Sequence, residues 1–473
     1  MSLKFGTSGL RGLSSDLAGP SAALYANAFA QHLFAQDWVK PGDSILVGRD
    51  FRDSSPVIAR ICMEALQTAG LSPVDCGTVP TPALALYGLT EGAASLMITG
   101  SHIPADRNGI KFYRPDGEID KQDEIAIAAI AASLSAKGWT YTENPNASPA
   151  RQVDVSSLYL ARNKALLPSK ALSGLRIGVY QHSTVSRDLF VDILSYFGAE
   201  VIPLGRSAHF IPVDTEAVSA DTVAALQSWA REFRLDAIVS ADGDGDRPLL
   251  ADETGKTLRG DLIGLLAARF LKAESVVTPV TSNSGIEAAG SYHVVRTRVG
   301  SPHVIAGMQA EVQAGRHNVM GFEANGGLLT ATDFQVNGAS IRALPTRDCV
   351  LPCLAVLSYV ATRRQTLSQL AEQVDLPCAL SDRLENFALN RSERLMAYLR
   401  ASPDNLSQFL QSVGSVSSVS DIDGLRMTLA DGKIIHFRPS GNAPEMRCYV
   451  EAKDQVSCEA LLKAGLTLLN NWH

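Results

Sequence analysis

The chain has 473 residues, 46% hydrophobic and 19% charged, with 42 Lys+Arg against 49 Asp+Glu for a formal net charge of -7. At about 100–200 residues per domain, this length predicts three or four folded domains and the composition excludes a disordered or fibrous chain. Mild acidity spread along the sequence argues against nucleic acid as a partner.

Residues 1–8 lack the apolar core of a signal peptide, and the most apolar later run, residues 349–362, holds Pro352 and is shorter than the ~20 residues that span a bilayer. A cytoplasmic protein with no membrane partner is expected. Cys62, Cys76, Cys349, Cys353, Cys378, Cys448 and Cys458 are odd in number and scattered, which predicts reduced, buried thiols instead of a disulfide framework. Cys349 and Cys353 have no second Cys or His pair at zinc-ligand spacing.

In chain order, residues 44–48 read as a short buried strand, and Ser55-Pro56 opens an Ala-rich helical pattern reaching Gly70. Residues 96–99 form another strand, ending in Thr99-Gly100-Ser101-His102-Ile103-Pro104 and then Asn108-Gly109-Ile110-Lys111. Open α/β sheets place ligands at this end of a strand, so Ser101 is a candidate phosphate-carrying nucleophile. The same residue types also build ordinary turns. Residues 136–170 read as a domain connection with at most a short helix. A second α/β unit follows: a strand at 175–180, a helix over 187–197, and strands at 199–202 and 235–240. A third includes strands at 275–280 and 293–297. The last stretch, from about Ser381, carries a strand at 424–429, a hairpin signal at Asp431-Gly432 and a final helix from about Val456. Three α/β blocks of similar size predict structural repetition.

Asp242-Gly243-Asp244-Gly245-Asp246-Arg247 follows an apolar strand. Carboxylates at alternate positions, joined by glycines that let the backbone curl, converge on one divalent cation. An EF-hand loop would also use Asp242, Asp244, Asp246 and Glu253, but Arg247 stands where that loop needs glycine, Pro248 follows, and the preceding segment reads as strand. Three protein oxygens leave coordination positions for phosphate, which suits Mg²⁺. Gly321-Phe322-Glu323-Ala324-Asn325-Gly326-Gly327 offers a carboxylate and an amide suited to vicinal hydroxyls, a weak signal alone. Arg438-Pro439-Ser440-Gly441-Asn442-Ala443-Pro444-Glu445-Met446-Arg447 combines arginines, a hydroxyl and an amide in an anion cradle. Gly6-Thr7-Ser8-Gly9-Leu10-Arg11-Gly12 adds another glycine-bracketed arginine. Ser301-Pro302 reads as a helix N-cap with Pro in the first turn.

These segments occur in the order of the four active-site loops of the α-D-phosphohexomutases, the phosphomannomutase/phosphoglucomutase family, which the chain resembles over almost its whole length. The resemblance implies an α/β fold of four domains around a central cleft, three related α/β domains with mixed sheets and a smaller α+β C-terminal domain. The expected spans are 1–140, 150–250, 251–370 and 380–473, each giving one loop. It also implies that Ser101 is phosphorylated in the active enzyme and that Asp242, Asp244 and Asp246 hold Mg²⁺ with a Ser101 phosphate oxygen. Lys111 would act as general base or acid, His102 would line the site, and Arg11 and Arg247 would meet the transferring phosphoryl group. Glu323 and Asn325 would contact sugar hydroxyls, and Arg438, Ser440, Gly441, Asn442 and Arg447 would bind the phosphate that is not reacting. The expected reaction interconverts hexose 6-phosphate and hexose 1-phosphate through a hexose 1,6-bisphosphate, with the mannose pair first and the glucose pair or dual specificity as alternatives.

The sequence departs from the family pattern at Ile103, where Asn is usual, at Asn325, which replaces a hydroxyl, and at Asn442, where Thr is frequent. A serine hydrolase would want Gly-x-Ser-x-Gly, and Thr99 and Ile103 stand at the flanking positions instead. A non-catalytic sugar-phosphate-binding protein would need neither Ser101 nor Lys111.

Overall fold

The computed structural model describes residues 3–6, 9–143, 150–440 and 444–472. Its first sheet has 8 strands, running Lys4–Phe5, Leu10–Leu13, Arg107–Arg114, Ala94–Ile98, Ser44–Arg49, Ser72–Thr78 and Arg151–Gln152, with Gly117–Glu118 folded back on Arg107–Arg114. The strands Ser44–Arg49, Ser72–Thr78 and Ala94–Ile98 are parallel, and Arg107–Arg114 pairs antiparallel with Ala94–Ile98. Helices cover the sheet, so Ala94–Ile98 is buried at every position and reads as one apolar run. Ser55–Thr68 is the helix that Ser55-Pro56 announces, and Arg151–Gln152 with the helix Ser156–Lys164 occupies the connection.

The same hairpin recurs twice. In the second, 4-stranded sheet, Glu200–Leu204, Arg176–Tyr180 and Ala237–Ala241 are parallel and Pro248–Ala251 returns antiparallel. In the third, 5-stranded sheet, His293–Thr297, Ser275–Pro279 and Val319–Phe322 are parallel, Leu328–Thr330 returns antiparallel and Leu344–Asp348 completes the edge. Each hairpin tip carries one of the loops singled out above: residues 99–106, 242–247 and 323–327. The last sheet, 5-stranded and antiparallel, orders Cys378–Leu384, Met446–Ala452, Ile434–Pro439, Leu425–Leu429 and Val416–Ser420, backed by the helices Leu389–Ala401 and Gln455–Asn470. The fold is therefore α/β with several mixed sheets and a smaller α+β C-terminal unit.

One apolar cluster runs from Leu46 through Val179, Val239, Phe322 and Leu354 across the α/β units, whereas the last unit has its own core at Phe387, Leu425, Phe437 and Val450. Ser301 corrects one expectation. It is the first residue of the helix Ser301–Gln313, flanked by Gly300 at φ 124°, and its hydroxyl makes no cap; it donates instead to Glu118 Oε1 of the first sheet at 3.1 Å. No helix among the described residues is long and apolar enough to cross a membrane.

Candidate active site

Ser101 leaves the strand Ala94–Ile98 with its backbone at φ 53°, the left-handed region that a serine rarely enters. The loop is held there by groups the local sequence does not reveal. Ser101 N donates to Thr99 Oγ1 at 2.7 Å, and Thr99 Oγ1 donates to Asp50 Oδ2 at 2.7 Å. Arg52, 1% exposed, donates to the carbonyls of Ser101 (3.0 Å), Ile103 (2.6 Å), Pro104 (2.7 Å) and Arg107 (2.8 Å), spending its guanidinium on the whole turn. Ser101 Oγ is thereby aimed at Asp242, to whose Oδ2 it donates, and lies 3.2 Å from His102 Nδ1. Burial and the Arg247 charge push the His102 imidazole down to about 3, so it is neutral at neutral pH.

Asp242, Asp244 and Asp246 are fully buried, and one oxygen from each lies within 4.8 Å of the others. Asp242 Oδ1 accepts from the backbone N–H of Asp246 and of Arg247 at 3.1 Å. Lys111, reached along Arg107–Arg114, places Nζ 2.5 Å from both Asp244 Oδ2 and Asp246 Oδ2, and Thr81 Oγ1 donates to Asp244 Oδ2 at 2.5 Å. Asp244 Oδ1 and Asp246 Oδ1 are buried with no hydrogen-bond partner. Burial pushes the Asp242 carboxyl well up, with Asp244 and Asp246 adding to the effect; burial also opposes ionisation of Asp244, but Lys111 holds it below the usual range. Unpartnered hard oxygens in a buried cluster of mutually repelling carboxylates fit a divalent cation of the Mg²⁺ type.

Arg247 and Arg11 also border this cluster. Arg247 Nε stands 4.0 Å from Asp242 Oδ2 and 3.8 Å from Asp246 Oδ1, without a hydrogen-bond partner. Arg11 donates to Thr99 O; burial lowers its pKa to about 10, against the pull of Asp244, leaving it charged at neutral pH. Gly109 admits this arginine, because a Cβ there would stand 2.7 Å from Arg11 Cδ.

Glu323 and Asn325 are both buried at the tip of the third hairpin, with Asn325 Oδ1 accepting from Gly327 N at 2.9 Å. In the last sheet Arg438 and Arg447 are register partners on adjacent strands, an arrangement of like charges that an anion relieves. Arg438 Nε donates to Asp423 Oδ2 at 2.8 Å, and the same oxygen accepts from Val299 N at 3.0 Å, tying this sheet to the third unit. Ser440 N donates to Glu445 O at 2.9 Å. Gly441 and Asn442 lie outside the described residues. Glu216 lies within electrostatic reach of both Arg247 and Arg447.

Family models of the phosphoglucomutase/phosphomannomutase α/β/α domains I and III match residues 2–137 and 259–376. A phosphomannomutase of Sinorhizobium fredii is 56% identical over 471 residues, covering 100% of this chain and 99% of that protein. The chain belongs to the α-D-phosphohexomutase family. A phosphomannomutase of Salmonella muenchen is 41% identical to this phosphohexomutase over 96% of the chain and 92% of that protein. The crystal structure of a putative phosphomannomutase from Thermus thermophilus superposes with a TM-score of 0.75 over 100% of both chains at 23% identity, which shows the shared fold.

Sequence reasoning missed the two arginines Arg52 and Arg347, which hold the loops of this candidate site. The second lies on Leu344–Asp348 and bridges Asp246 and Glu323. Its only local signal is a pair of opposite charges, Arg347-Asp348, set directly before the apolar 349–362 run. Arg52 explains Gly100: a Cβ there would stand 2.5 Å from Arg52 Cζ. Gly100→Ala is expected to destabilise the fold by about 1–3 kcal/mol, as overpacking does, and to lower turnover by moving the serine turn. Thermal unfolding and steady-state kinetics check this, and unchanged values for both would refute it.

Proposed function

We propose that this phosphohexomutase interconverts mannose 6-phosphate and mannose 1-phosphate in the cytoplasm, with Ser101 as the phosphate carrier and a hexose 1,6-bisphosphate as intermediate and activator. The observation that carries the reading is Ser101 Oγ set against Asp242, in a buried carboxylate cluster that also holds Lys111. The mannose preference is supported by the two relatives named phosphomannomutase.

Phosphoryl transfer asks for alignment and neutralised charge more than for covalent chemistry by the protein. Asp242, Asp244 and Asp246, with a phosphate oxygen on Ser101, would hold Mg²⁺, which supplies Lewis-acid stabilisation of charge on that phosphoryl group. Arg247 and Arg11 border the same space and would steady the phosphoryl oxygens. Lys111 would take the proton from the attacking sugar hydroxyl and pass it to Ser101 Oγ as that oxygen leaves phosphorus, and in the reverse step would carry it from Ser101 Oγ back to the departing sugar oxygen. His102, neutral, would line the site and donate or accept a hydrogen bond without adding charge. Glu323 and Asn325 would hold the ring hydroxyls. Arg438, Ser440, Gly441, Asn442 and Arg447 would clamp the distal phosphate, and a clamp that accepts either end lets the bisphosphate turn and return its other phosphate to Ser101. The separate core of the last unit supports a hinge there. We take the domains as residues 1–140, 150–250, 251–370 and 380–473.

The test is kcat/KM on mannose 1-phosphate and glucose 1-phosphate, primed with the matching 1,6-bisphosphate and Mg²⁺. A higher value for mannose is expected. Equal values would establish dual specificity, and no turnover of either sugar would overturn the proposal.

A further inference from the structure

Arg347 is 4% exposed, yet it belongs to no loop that the sequence marks as functional. Its guanidinium spans two loops: Nε and Nη2 donate to Asp246 Oδ2 at 2.9 and 2.8 Å, and Nη1 donates to Glu323 Oε2 at 2.8 Å. The planar fork of arginine suits such a two-sided contact, which the single ammonium of lysine does not reproduce. The side chain also has a built path. A Cβ on Gly327 of the sugar loop would stand 2.7 Å from Arg347 Cδ and 2.8 Å from Cγ, so that loop runs directly against the arginine stem. Behind it the strand is fastened by Asp348, which accepts from Arg162 Nη1 at 2.9 Å, from Tyr159 OH and from Val350 N at 2.8 Å.

We infer that Arg347 is a positioning residue that sets the Glu323 carboxylate in register with Asp246, so that the hexose ring is held at a fixed place relative to Ser101. This rests on the reading of Glu323 as the ligand of sugar hydroxyls. Arg347 acts on Asp246 Oδ2, the oxygen it shares with Lys111, and leaves the unpartnered Oδ1 for a cation. Cation binding and the bridge to Glu323 are therefore compatible. Without the bridge, Glu323 Oε2 keeps only Asn325 Nδ2, at 3.5 Å, as a side-chain donor among the described residues. Misplacing a hydroxyl ligand weakens substrate positioning without touching the phosphate carrier.

The experiment compares wild type, Arg347→Met, Arg347→Lys, Glu323→Ala and the Arg347→Met/Glu323→Ala double variant. Steady-state kinetics are run on hexose 1-phosphate, and binding of Mn²⁺ without sugar is followed by the paramagnetic resonance of the free ion. KM is expected to rise about 10-fold or more in Arg347→Met, with kcat changed less. Arg347→Lys is expected to keep the fold and the buried charge yet fail to restore KM, and it carries the test if Arg347→Met does not fold. Mn²⁺ affinity in Arg347→Met is expected to be unchanged or tighter, since a cation beside Asp246 has gone. In the Glu323→Ala background, Arg347→Met is expected to add less than about a twofold rise, the non-additivity of residues acting as a unit. Wild-type KM in Arg347→Met or in Arg347→Lys, weaker Mn²⁺ binding, or full additivity with Glu323→Ala would each overturn the inference. A wild-type protein that turns over no hexose phosphate would defeat the functional reading instead.

Discussion

Ser101→Ala is expected to lower kcat by about 10⁴-fold or more, the scale of losses when a covalent nucleophile is removed. The change deletes one oxygen and nothing else that shapes the loop. Arg52 bonds backbone carbonyls, and Thr99 Oγ1 receives Ser101 N, so the turn survives without the hydroxyl. Asp242 loses the Ser101 donor but keeps the N–H groups of Asp246 and Arg247. The stability cost is therefore that of one hydrogen bond, about 1 kcal/mol. Two measurements check the assignment. Turnover of hexose 1-phosphate should vanish, and intact mass after incubation with hexose 1,6-bisphosphate should show one added phosphate on wild type and none on the variant. Turnover within about tenfold of wild type would sink the phosphoserine role.

What the sequence discloses and what it hides follow from how far apart the partners lie along the chain. Ser101, the aspartate run and Glu323 stand out because each lies in a short glycine-bracketed stretch directly after an apolar strand, and periodicity identifies such strands. Their common placement at one end of three sheets depends on the parallel neighbours of the first hairpin strand, Ser44–Arg49, Arg176–Tyr180 and Ser275–Pro279, and those neighbours are not adjacent to it in sequence. Arg52 and Arg347 are hidden for the same reason, since their acceptors lie 49 to 55 residues away in one case and 101 and 24 in the other. The helix Gly260–Leu271 shows a different obstacle. Gly264 argues against a helix by propensity, yet a Cβ there would stand 2.4 Å from the Phe322 ring, so packing beneath the Glu323 loop overrides propensity. Ser301 misleads because a serine ahead of a proline fits an N-cap, whereas its hydroxyl meets Glu118, a partner 183 residues away. The left-handed backbone of Ser101 leaves no local trace at all, because it is imposed by Arg52 and Asp50 from another strand end.

Lys111→Met should separate the electrostatic role of the lysine from its chemistry. The methionine fills nearly the same volume, but Asp244 and Asp246 then share a buried site without the ammonium that stands 2.5 Å from each. Removing one partner of a buried ion pair costs about 3–5 kcal/mol, because the remaining charge is left uncompensated. Arg347 still reaches Asp246, and Thr81 still donates to Asp244, so the loss falls mainly on Asp244. A large drop in Tm is therefore expected in chelator-treated protein. The same deletion makes the cluster more negative and should strengthen its grip on a divalent cation. A ligand that binds only the folded state stabilises it by about 2.7 kcal/mol at 100 times its Kd. Added Mg²⁺ is accordingly expected to raise the Tm of Lys111→Met by more than it raises that of wild type, while turnover stays about 10²–10⁴-fold down for want of the acid–base group. Recovery of activity along with Tm would show that Lys111 only balances charge. A Tm insensitive to Mg²⁺ in both proteins would show that the aspartate cluster does not hold the ion.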